Sequence, residues 1–187
     1  VRRYPKDVLL EKIAIVPQKA VLFSGSIREN LCWGKPGATD EECLAAIHKA
    51  QGDDILAAKE EGLDYQIEQG GRNLSGGQRQ RVLISRAIAG RPEILILDDS
   101  VSAVDVNTEK TILSNLNKLR KGKTTILIAH RISTIENMDK IIFIDDGKIL
   151  AIGTHDELYN TCEDYKNLVD LQKLDDLKQE SEVDANV

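Results

Sequence analysis

Aromatic residues, cysteine, long apolar runs and excess positive charge are all scarce in this sequence. Only 4% of the 187 residues are aromatic, but 41% are hydrophobic, which suffices for a globular core of ordinary composition. The formal net charge is -6 at pH 7. Because a nucleic-acid-binding surface needs a basic field, this charge argues against nucleic acid as a partner. No apolar run reaches the roughly 20 residues of a transmembrane helix.

The three cysteines, Cys32, Cys43 and Cys162, are odd in number and scattered along the sequence. A disulfide framework uses an even number of cysteines, and a zinc site uses closely spaced pairs. Neither pattern is present. We therefore predict free thiols in a reducing cytosol and no metal site built from cysteine.

The most informative stretch is residues 71–80, with the sequence Gly-Arg-Asn-Leu-Ser-Gly-Gly-Gln-Arg-Gln. It joins a Ser-Gly-Gly turn to a predicted helix. Paired glycines at a helix start leave the backbone amides accessible, and these amides and the helix dipole attract phosphate. The alternative is a plain glycine-rich helix cap with no ligand.

An apolar strand that ends in two carboxylates follows this motif. Residues 94–97 are Ile-Leu-Ile-Leu, a run typical of a strand covered on both faces, and Asp98 and Asp99 come next. In parallel α/β sheets a magnesium-nucleotide is usually held at such a strand end. The alternative for Asp98 is a carboxylate that caps the next loop.

In this order and spacing the motifs resemble those of the ATP-binding domain of ABC transporters. The resemblance runs from the first residues to roughly Tyr159. Gln18 corresponds to the family's Q-loop, residues 74–78 to its signature motif and Asp98 to its Walker B strand. Residues 102–105 correspond to the D-loop and His130 to the switch histidine. Two further segments resemble the corresponding segments of exporters whose membrane and ATPase domains are fused: Phe23 to Asn30 and Gln69 to Arg72.

The resemblance implies an α/β fold: a P-loop NTPase-like parallel sheet flanked by helices, with an inserted all-helical signature subdomain. Residues 1–19 and 91–162 would form the ATPase core, and residues 20–90 the helical subdomain. Residues 163–187 would form a C-terminal helix, expected to end near Lys178, and a disordered tail.

Local signals predict where several elements begin and end. Four short polar residues are placed to cap the N-termini of helices: Ser26, Thr39, Asp105 and Thr154. Residues 145–147, Asp-Asp-Gly, predict the turn of a β-hairpin. Residues 8–16 predict a loop that leads into a strand ended by Pro17, and residues 125–129 predict a buried strand.

The cofactors implied by the resemblance are ATP and Mg²⁺. Gln18 and Asp98 would hold the metal, while Asp99 and His130 would be catalytic; a histidine outside this context would more often be structural. In the family, two ABC subunits pack head to tail. The signature motif, through Ser75, Gly76, Gly77 and Gln78, and the D-loop, through Asp105, would therefore contact the nucleotide of the second subunit.

Asp99 departs from the family, which usually has glutamate here to polarise the attacking water. Aspartate is one methylene shorter, and misplacing a general base commonly costs a factor of about 10² to 10⁴ in rate. An aspartate here is similar to the degenerate sites of heterodimeric exporters. The alternative is an ordinary site that tolerates aspartate.

No segment of the sequence fits G-x-x-x-x-G-K-[ST], the loop that cradles the β- and γ-phosphates. We expect the chain to be the C-terminal part of a longer protein with a transmembrane domain upstream, at the cytoplasmic face of the cell membrane. By itself it should not hydrolyse ATP. Two alternatives are a soluble ABC-type ATPase with no fused membrane domain and a non-hydrolysing, ATP-dependent dimerisation module.

Overall fold

The computed structural model describes residues 4–19 and 21–184, and the chain forms two compact units, residues 1–128 and 129–187. In the first unit the helices are α1 (Lys6–Lys12), α2 (Ile27–Cys32), α3 (Asp40–Lys49), α4 (Asp53–Ala57), α5 (Gly76–Ala89) and α6 (Val106–Leu119). The strands are β1 (Ile13–Val16), β2 (Gly25–Ser26), β3 (Gln66–Ile67), β4 (Ile94–Asp98) and β5 (Thr124–Ile128).

A parallel sheet organises the first unit. Its order is β1-β4-β5, and the central strand β4 buries Leu95 and Leu97 completely. Ile94 and Ile96 on its other face are half-buried, so both faces of β4 are at least partly covered, which accounts for its continuous apolar sequence. The parallel sheet with flanking helices confirms the predicted fold class.

Two predictions about the strands of this sheet were wrong. Residues 6–12 form helix α1 and not a loop, because Pro5 is set at φ -56° directly before the helix and Asp7 lies in its first turn. Strand β5 is largely exposed, including Ile126 and Ile128, because it pairs only with β4 among the described residues and lies at the edge of the sheet.

Between β1 and β4, the described residues are mostly helical. Helices α2 and α3 both pack against α5, and the short antiparallel pair β2–β3 holds the start of α2 to the segment before α5. Ser26 and Thr39 cap α2 and α3 with capping boxes, as predicted. The core between these helices is apolar and includes Ile27, Leu31, Ile47, Leu83 and Ile84.

The second unit contains helices α7 (Ile132–Ile135), α8 (His155–Thr161) and α9 (Glu163–Asp184) and strands β6 (Ile141–Asp145) and β7 (Lys148–Gly153). Strands β6 and β7 form the predicted hairpin; Asp146 and Gly147 both have positive φ, as a two-residue turn of type I′ requires. Thr154 caps α8 as predicted. The unit's core is built around Ile132, Ile141, Leu158, Tyr165 and Val169.

Helix α9 continues to Asp184 and is longer than the helix predicted to end near Lys178. The last three residues of the expected tail, 185–187, lie outside the described residues. Across the part of the chain that the structure describes, none of the helices is long and apolar enough to cross a membrane.

Candidate nucleotide site

Asp98 and Asp99 lie at the carboxyl end of β4. Asp98 is the last residue of the strand, half-buried, and in register with Ile128 of β5. Asp99 turns the chain sharply, with φ +45°, a left-handed conformation that aspartate tolerates better than most residues. Its N–H donates to the Ile128 carbonyl at 2.9 Å, and its own carbonyl accepts the Ser102 hydroxyl at 2.9 Å. The backbone at Asp99 is therefore held on both sides.

The neighbouring strand β1 brings Gln18 to Asp99. The Gln18 amide Nε2 donates a hydrogen bond to Asp99 Oδ2 at 3.0 Å, although the two residues are 81 positions apart in the sequence. Gln80 of α5 donates to the Pro17 carbonyl at 3.5 Å and so ties the same loop to the helix of the signature motif. The structure thus joins the segment after β1 to both the end of β4 and α5.

These residues have the chemistry of a magnesium site. Mg²⁺ prefers hard oxygen ligands and is usually bound by one or two carboxylates together with substrate phosphates. Asp98 offers a carboxylate, and Gln18 offers an amide oxygen that its hydrogen bond to Asp99, made by the nitrogen, does not use. Within the described ranges no cluster of three or more His, Cys, Asp and Glu side chains could hold a metal without such phosphates.

The signature motif forms the start of α5. The Ser75 hydroxyl accepts the Gln78 N–H at 3.2 Å, and the Gln78 side chain accepts the Ser75 N–H at 3.0 Å, a reciprocal capping box. Both side chains are therefore used to build this helix end. The amides of Gly76 and Gly77 lie in the first turn, where helix N–H groups have no intrahelical partner.

The D-loop packs directly against this helix start. A Cβ added to Gly77 would lie 3.2 Å from the Ala103 carbonyl oxygen, so glycine permits the close contact. Ser75, Gly77, Arg81 and Asp105 line one open groove between α5 and α6. Arg81 does not contribute free charge there, because it is paired with Asp54 at 2.5 Å.

Asp105 caps α6, as predicted. Its carboxylate accepts the Thr108 hydroxyl at 2.6 Å and the Thr108 N–H at 3.0 Å. These donors favour the charged carboxylate and hold the pKa of Asp105 below its ordinary value.

His130 belongs to the second unit, and its side chain is exposed. The Gln172 side chain of α9 donates to the His130 carbonyl at 2.8 Å and accepts the Ile132 N–H at 2.8 Å. Sequence reasoning predicted His130 but missed Gln172, since nothing in the charged pattern of α9 distinguishes Gln172 from a surface residue. Gln80 was missed for the same reason.

The chain belongs to the ABC transporter family, whose pattern matches residues 2–102. In addition, 92% of the chain superposes on 30% of a bacterial Atm1-family ABC exporter solved with ATP bound, with a TM-score of 0.88 and 36% identity. These similarities confirm the family that the motifs indicated.

Two relatives show which kind of ABC protein this chain is similar to. It is 40% identical over 187 residues to the Multidrug resistance protein homolog 65 of Drosophila melanogaster, which covers 98% of this chain and 14% of the relative. It is 43% identical over 174 residues to the Bacillus subtilis protein YheI, described as a probable multidrug resistance ABC transporter ATP-binding/permease protein. That alignment covers 93% of this chain and 30% of the relative, so the chain spans less than a third of either protein.

Proposed function

We propose that this chain is the nucleotide-binding domain of an ABC exporter and couples ATP binding and hydrolysis to export of a substrate. The relatives support this: one is named as an ATP-binding/permease protein, and the solved exporter was determined with ATP. The domain would act at the cytoplasmic face of the cell membrane. Its partners would be a transmembrane domain of the same protein and a second ABC subunit packed head to tail.

Within this proposal the residues at the carboxyl end of the sheet serve the chain's own nucleotide. Asp98 and the Gln18 amide oxygen would hold Mg²⁺ there. The role proposed for His130 of the second unit rests on the family resemblance alone: a ring nitrogen would donate to a γ-phosphate. Mg²⁺-ATP supplies the remaining phosphate oxygen ligands and the phosphoanhydride bond that is hydrolysed. The phosphate-binding loop would come from a part of the protein that this sequence does not contain.

The signature residues would instead serve the nucleotide of the second subunit. Ser75, Gly76, Gly77 and Gln78 lie at one helix start, where the Gly76 and Gly77 amides lack intrahelical partners and, with the helix dipole, suit a phosphate group. The groove shared by this helix start and Asp105 is open, which supports an interface with another molecule at this face.

We further propose that the chain's own site is degenerate and that the partner subunit carries the active one. The observation behind this proposal is Asp99, which stands where the family has glutamate and has Oδ2 already bonded to the Gln18 amide. A shorter side chain with one oxygen occupied is poorly placed to accept a proton from water. The expected loss is a factor of about 10² to 10⁴ in hydrolysis at this site.

The test is ATP hydrolysis by the full-length protein, expressed alone, with wild type compared with Asp99→Glu. A degenerate site predicts a nearly inactive wild type and an increase of about 10²-fold or more in the variant. Asp99→Asn, which cannot act as a base, is the control and should match the wild type. A wild type that turns over briskly and loses its activity in Asp99→Asn would show that Asp99 is competent.

The same assay tests the alternative that the chain is a non-hydrolysing, ATP-dependent dimerisation module, an alternative that the aspartate at position 99 also supports. In that case Asp99→Glu would stay inactive, although ATP would still bring two subunits together in size-exclusion chromatography. A response of hydrolysis to Asp99→Glu would leave the exporter as the better description.

A further inference from the structure

A cavity of about 490 Å³ lies in the first unit at the end of the sheet opposite to the candidate nucleotide site. Its lining includes Arg91, shortly before β4, and Lys123, directly before β5, so it adjoins the amino ends of the parallel strands. Asp98 lies at the carboxyl end of β4. The volume falls within the range of about 300–1,000 Å³ that is typical of small-molecule sites. We call this space the Arg91 cavity.

Three helices form the walls of the Arg91 cavity. They are α3, the end of α5 and the end of α6 with the turn that follows it. Small and aliphatic side chains line these walls: Ala45, Ala46, Ile88, Ala89 and Leu119. The alanines leave space between the helices, whereas protein interiors have few voids larger than a water molecule. The cavity therefore offers an apolar surface to a ligand.

Hydrogen bonds hold these walls together. Asn115 of α6 donates from Nδ2 to the Lys49 carbonyl at the end of α3, at 3.1 Å. The Arg120 guanidinium ties the end of α6 to the sheet, because it donates to the Pro92 carbonyl at 2.9 Å and to the Thr124 carbonyl at 2.7 Å. The cavity is thus formed before any ligand binds, which lowers the cost of binding.

Arg120 carries a buried charge that is poorly compensated. It is 7% exposed, and its guanidinium donates only to neutral acceptors, the Thr125 hydroxyl and three backbone carbonyl groups. No ion pair to Arg120 occurs in residues 4–19 and 21–184. Burial lowers the pKa of Arg120, and the charge of Glu93, which is paired with Lys123 at 3.5 Å, offsets this only in part.

Arg91 lies exposed at the rim of the cavity, in an unfavourable backbone conformation. Its φ is +48°, a left-handed value that disfavours a residue with a Cβ, and the following Pro92 favours an extended conformation instead. In the part of the chain that the structure describes, the Arg91 side chain makes no hydrogen bond or ion pair. Strained residues of this kind cluster at functional sites.

The two acids that line the cavity already have partners at the start of α3. Glu42 pairs with Lys35 and accepts the Thr39 N–H at 3.2 Å. These two contacts, and to a smaller extent the charge of Arg91, hold the pKa of Glu42 below its ordinary value. Hydrogen bonds from its own N–H and from the Thr39 side chain lower the pKa of Glu41 in the same way.

Three cations meet where α5 leads into β4. Lys123 donates to the Arg91 carbonyl at 3.0 Å, and Arg120 donates to the carbonyl of the next residue, Pro92. Together with the Arg91 guanidinium they make this end of the cavity positive, although the chain as a whole has a net charge of -6. The charge of the cavity and its apolar walls are complementary to an apolar anion.

We propose that the Arg91 cavity binds a small amphiphilic carboxylate, with its apolar body between the helices and its carboxylate on the Arg91 guanidinium. Guanidinium and carboxylate match each other through two parallel hydrogen bonds, and such charge-assisted bonds are the strong ones. This inference goes beyond the proposed function, because the site holds neither nucleotide nor a second subunit.

The experiment uses para-benzoylbenzoate, a photoreactive carboxylate with an apolar two-ring body, on the full-length protein in native membranes. The neutral para-hydroxymethylbenzophenone has the same body and is the matched probe. After irradiation the adducts are mapped by mass spectrometry. We expect the carboxylate to label the peptides that contain Ala45 and Leu119 saturably and about tenfold more than the neutral probe, because charge-assisted hydrogen bonds add to apolar contact. Equal labelling by the two probes, or no adduct in the cavity, overturns the proposal.

The arginine is tested in the same membranes. Arg91→Gln should reduce labelling by the carboxylate to the level of the neutral probe and leave the neutral probe unchanged. Lys118→Gln is the matched control, because it removes the same charge from an exposed position of α6 outside the cavity. Undiminished carboxylate labelling in Arg91→Gln contradicts the proposal. An equal loss of both probes would mean that Arg91 supports the wall and not the ligand, which overturns it too.

Ala45→Phe tests the cavity itself with its charges intact. Ala45 is exposed on α3, so the larger side chain fills the space without entering the core, and labelling by both probes should be lost. Persistent labelling would place the adducts outside the cavity.

Excess Mg²⁺-ATP separates this site from the nucleotide site. It should not displace para-benzoylbenzoate, and photolabelling by azido-ATP should be the same in wild type, Arg91→Gln and Ala45→Phe. Displacement of the carboxylate by ATP would assign the labelling to the nucleotide site and overturn the inference, while leaving the proposed function in place.

Discussion

At the scale of single residues, backbone contacts set the strictest requirements in this chain. Asp99 holds a left-handed conformation through two backbone hydrogen bonds, and Gly77 and Gly34 permit close approach to a neighbouring carbonyl group. None of these constraints depends on the charge or hydrophobicity of the residue. They act through the space that a side chain has available and the dihedral angles that it allows.

Gly34→Ala should destabilise the first unit by on the order of 1–3 kcal/mol, the range for overpacking a closely packed site. The added methyl group would lie 1.9 Å from the Arg86 carbonyl oxygen, and neither backbone can move without separating α2 from α5. Urea denaturation measures the loss. Gly76→Ala is the matched control, because its Cβ would meet nothing nearer than 4.0 Å. Equal stability of the two variants would contradict this packing.

At the scale of elements, helix caps position most of the candidate site. Ser75 begins the helix that presents the signature glycines, and Asp105 begins α6 directly after the D-loop. Both caps use short polar side chains that accept backbone N–H groups of the first turn. The residues proposed to face a second subunit are therefore fixed by the same bonds that start these helices.

Asp105 should make stability depend on pH in acid. Its pKa in the folded chain lies below its ordinary value, so the carboxylate stabilises the fold at neutral pH. This contribution is fully present above the unfolded pKa, about 3.9, and is lost as the pH falls through the lower, folded value. Asp105→Asn keeps a capping oxygen and removes the titration. Below about pH 4 the melting temperature of the wild type should fall more steeply than that of Asp105→Asn, and parallel curves would contradict the shift.

At the scale of the whole molecule, the sequence predicted what local patterns determine. The family motifs, the helix caps and the turn at Asp146 could all be predicted, because each depends on a few neighbouring residues. The predicted caps are Ser26, Thr39, Asp105 and Thr154. What depends on neighbours far along the chain was not. The exposure of β5 follows from its edge position, and helix α1 from a proline that precedes a weakly patterned segment.

Contacts between distant segments account for the rest. The hydrogen bond between Gln18 and Asp99 requires the order of the sheet, which a single sequence does not give. The Gln172 bridge to the backbone at His130 requires knowing how α9 packs.

The largest-scale prediction concerns the second subunit. Ser75→Arg places a bulky cation at the helix start proposed to contact the partner's nucleotide, so it should abolish hydrolysis at the partner's site although that subunit is unchanged. ATPase activity of the purified two-subunit transporter is the measurement, with the substitution made in this chain only. Loss of the Ser75 cap alone costs about 1 kcal/mol and would weaken the helix without reaching the partner.

Thr39→Arg is the matched control, because Thr39 is an exposed N-cap with the same reciprocal capping box at the start of α3. It removes an equivalent cap and adds the same charge away from the signature motif. The head-to-tail arrangement predicts that Thr39→Arg retains most of the activity while Ser75→Arg retains almost none. Equal losses would mean that the effect is one of stability, and unaffected hydrolysis in Ser75→Arg would mean that this helix start does not complete the partner's site.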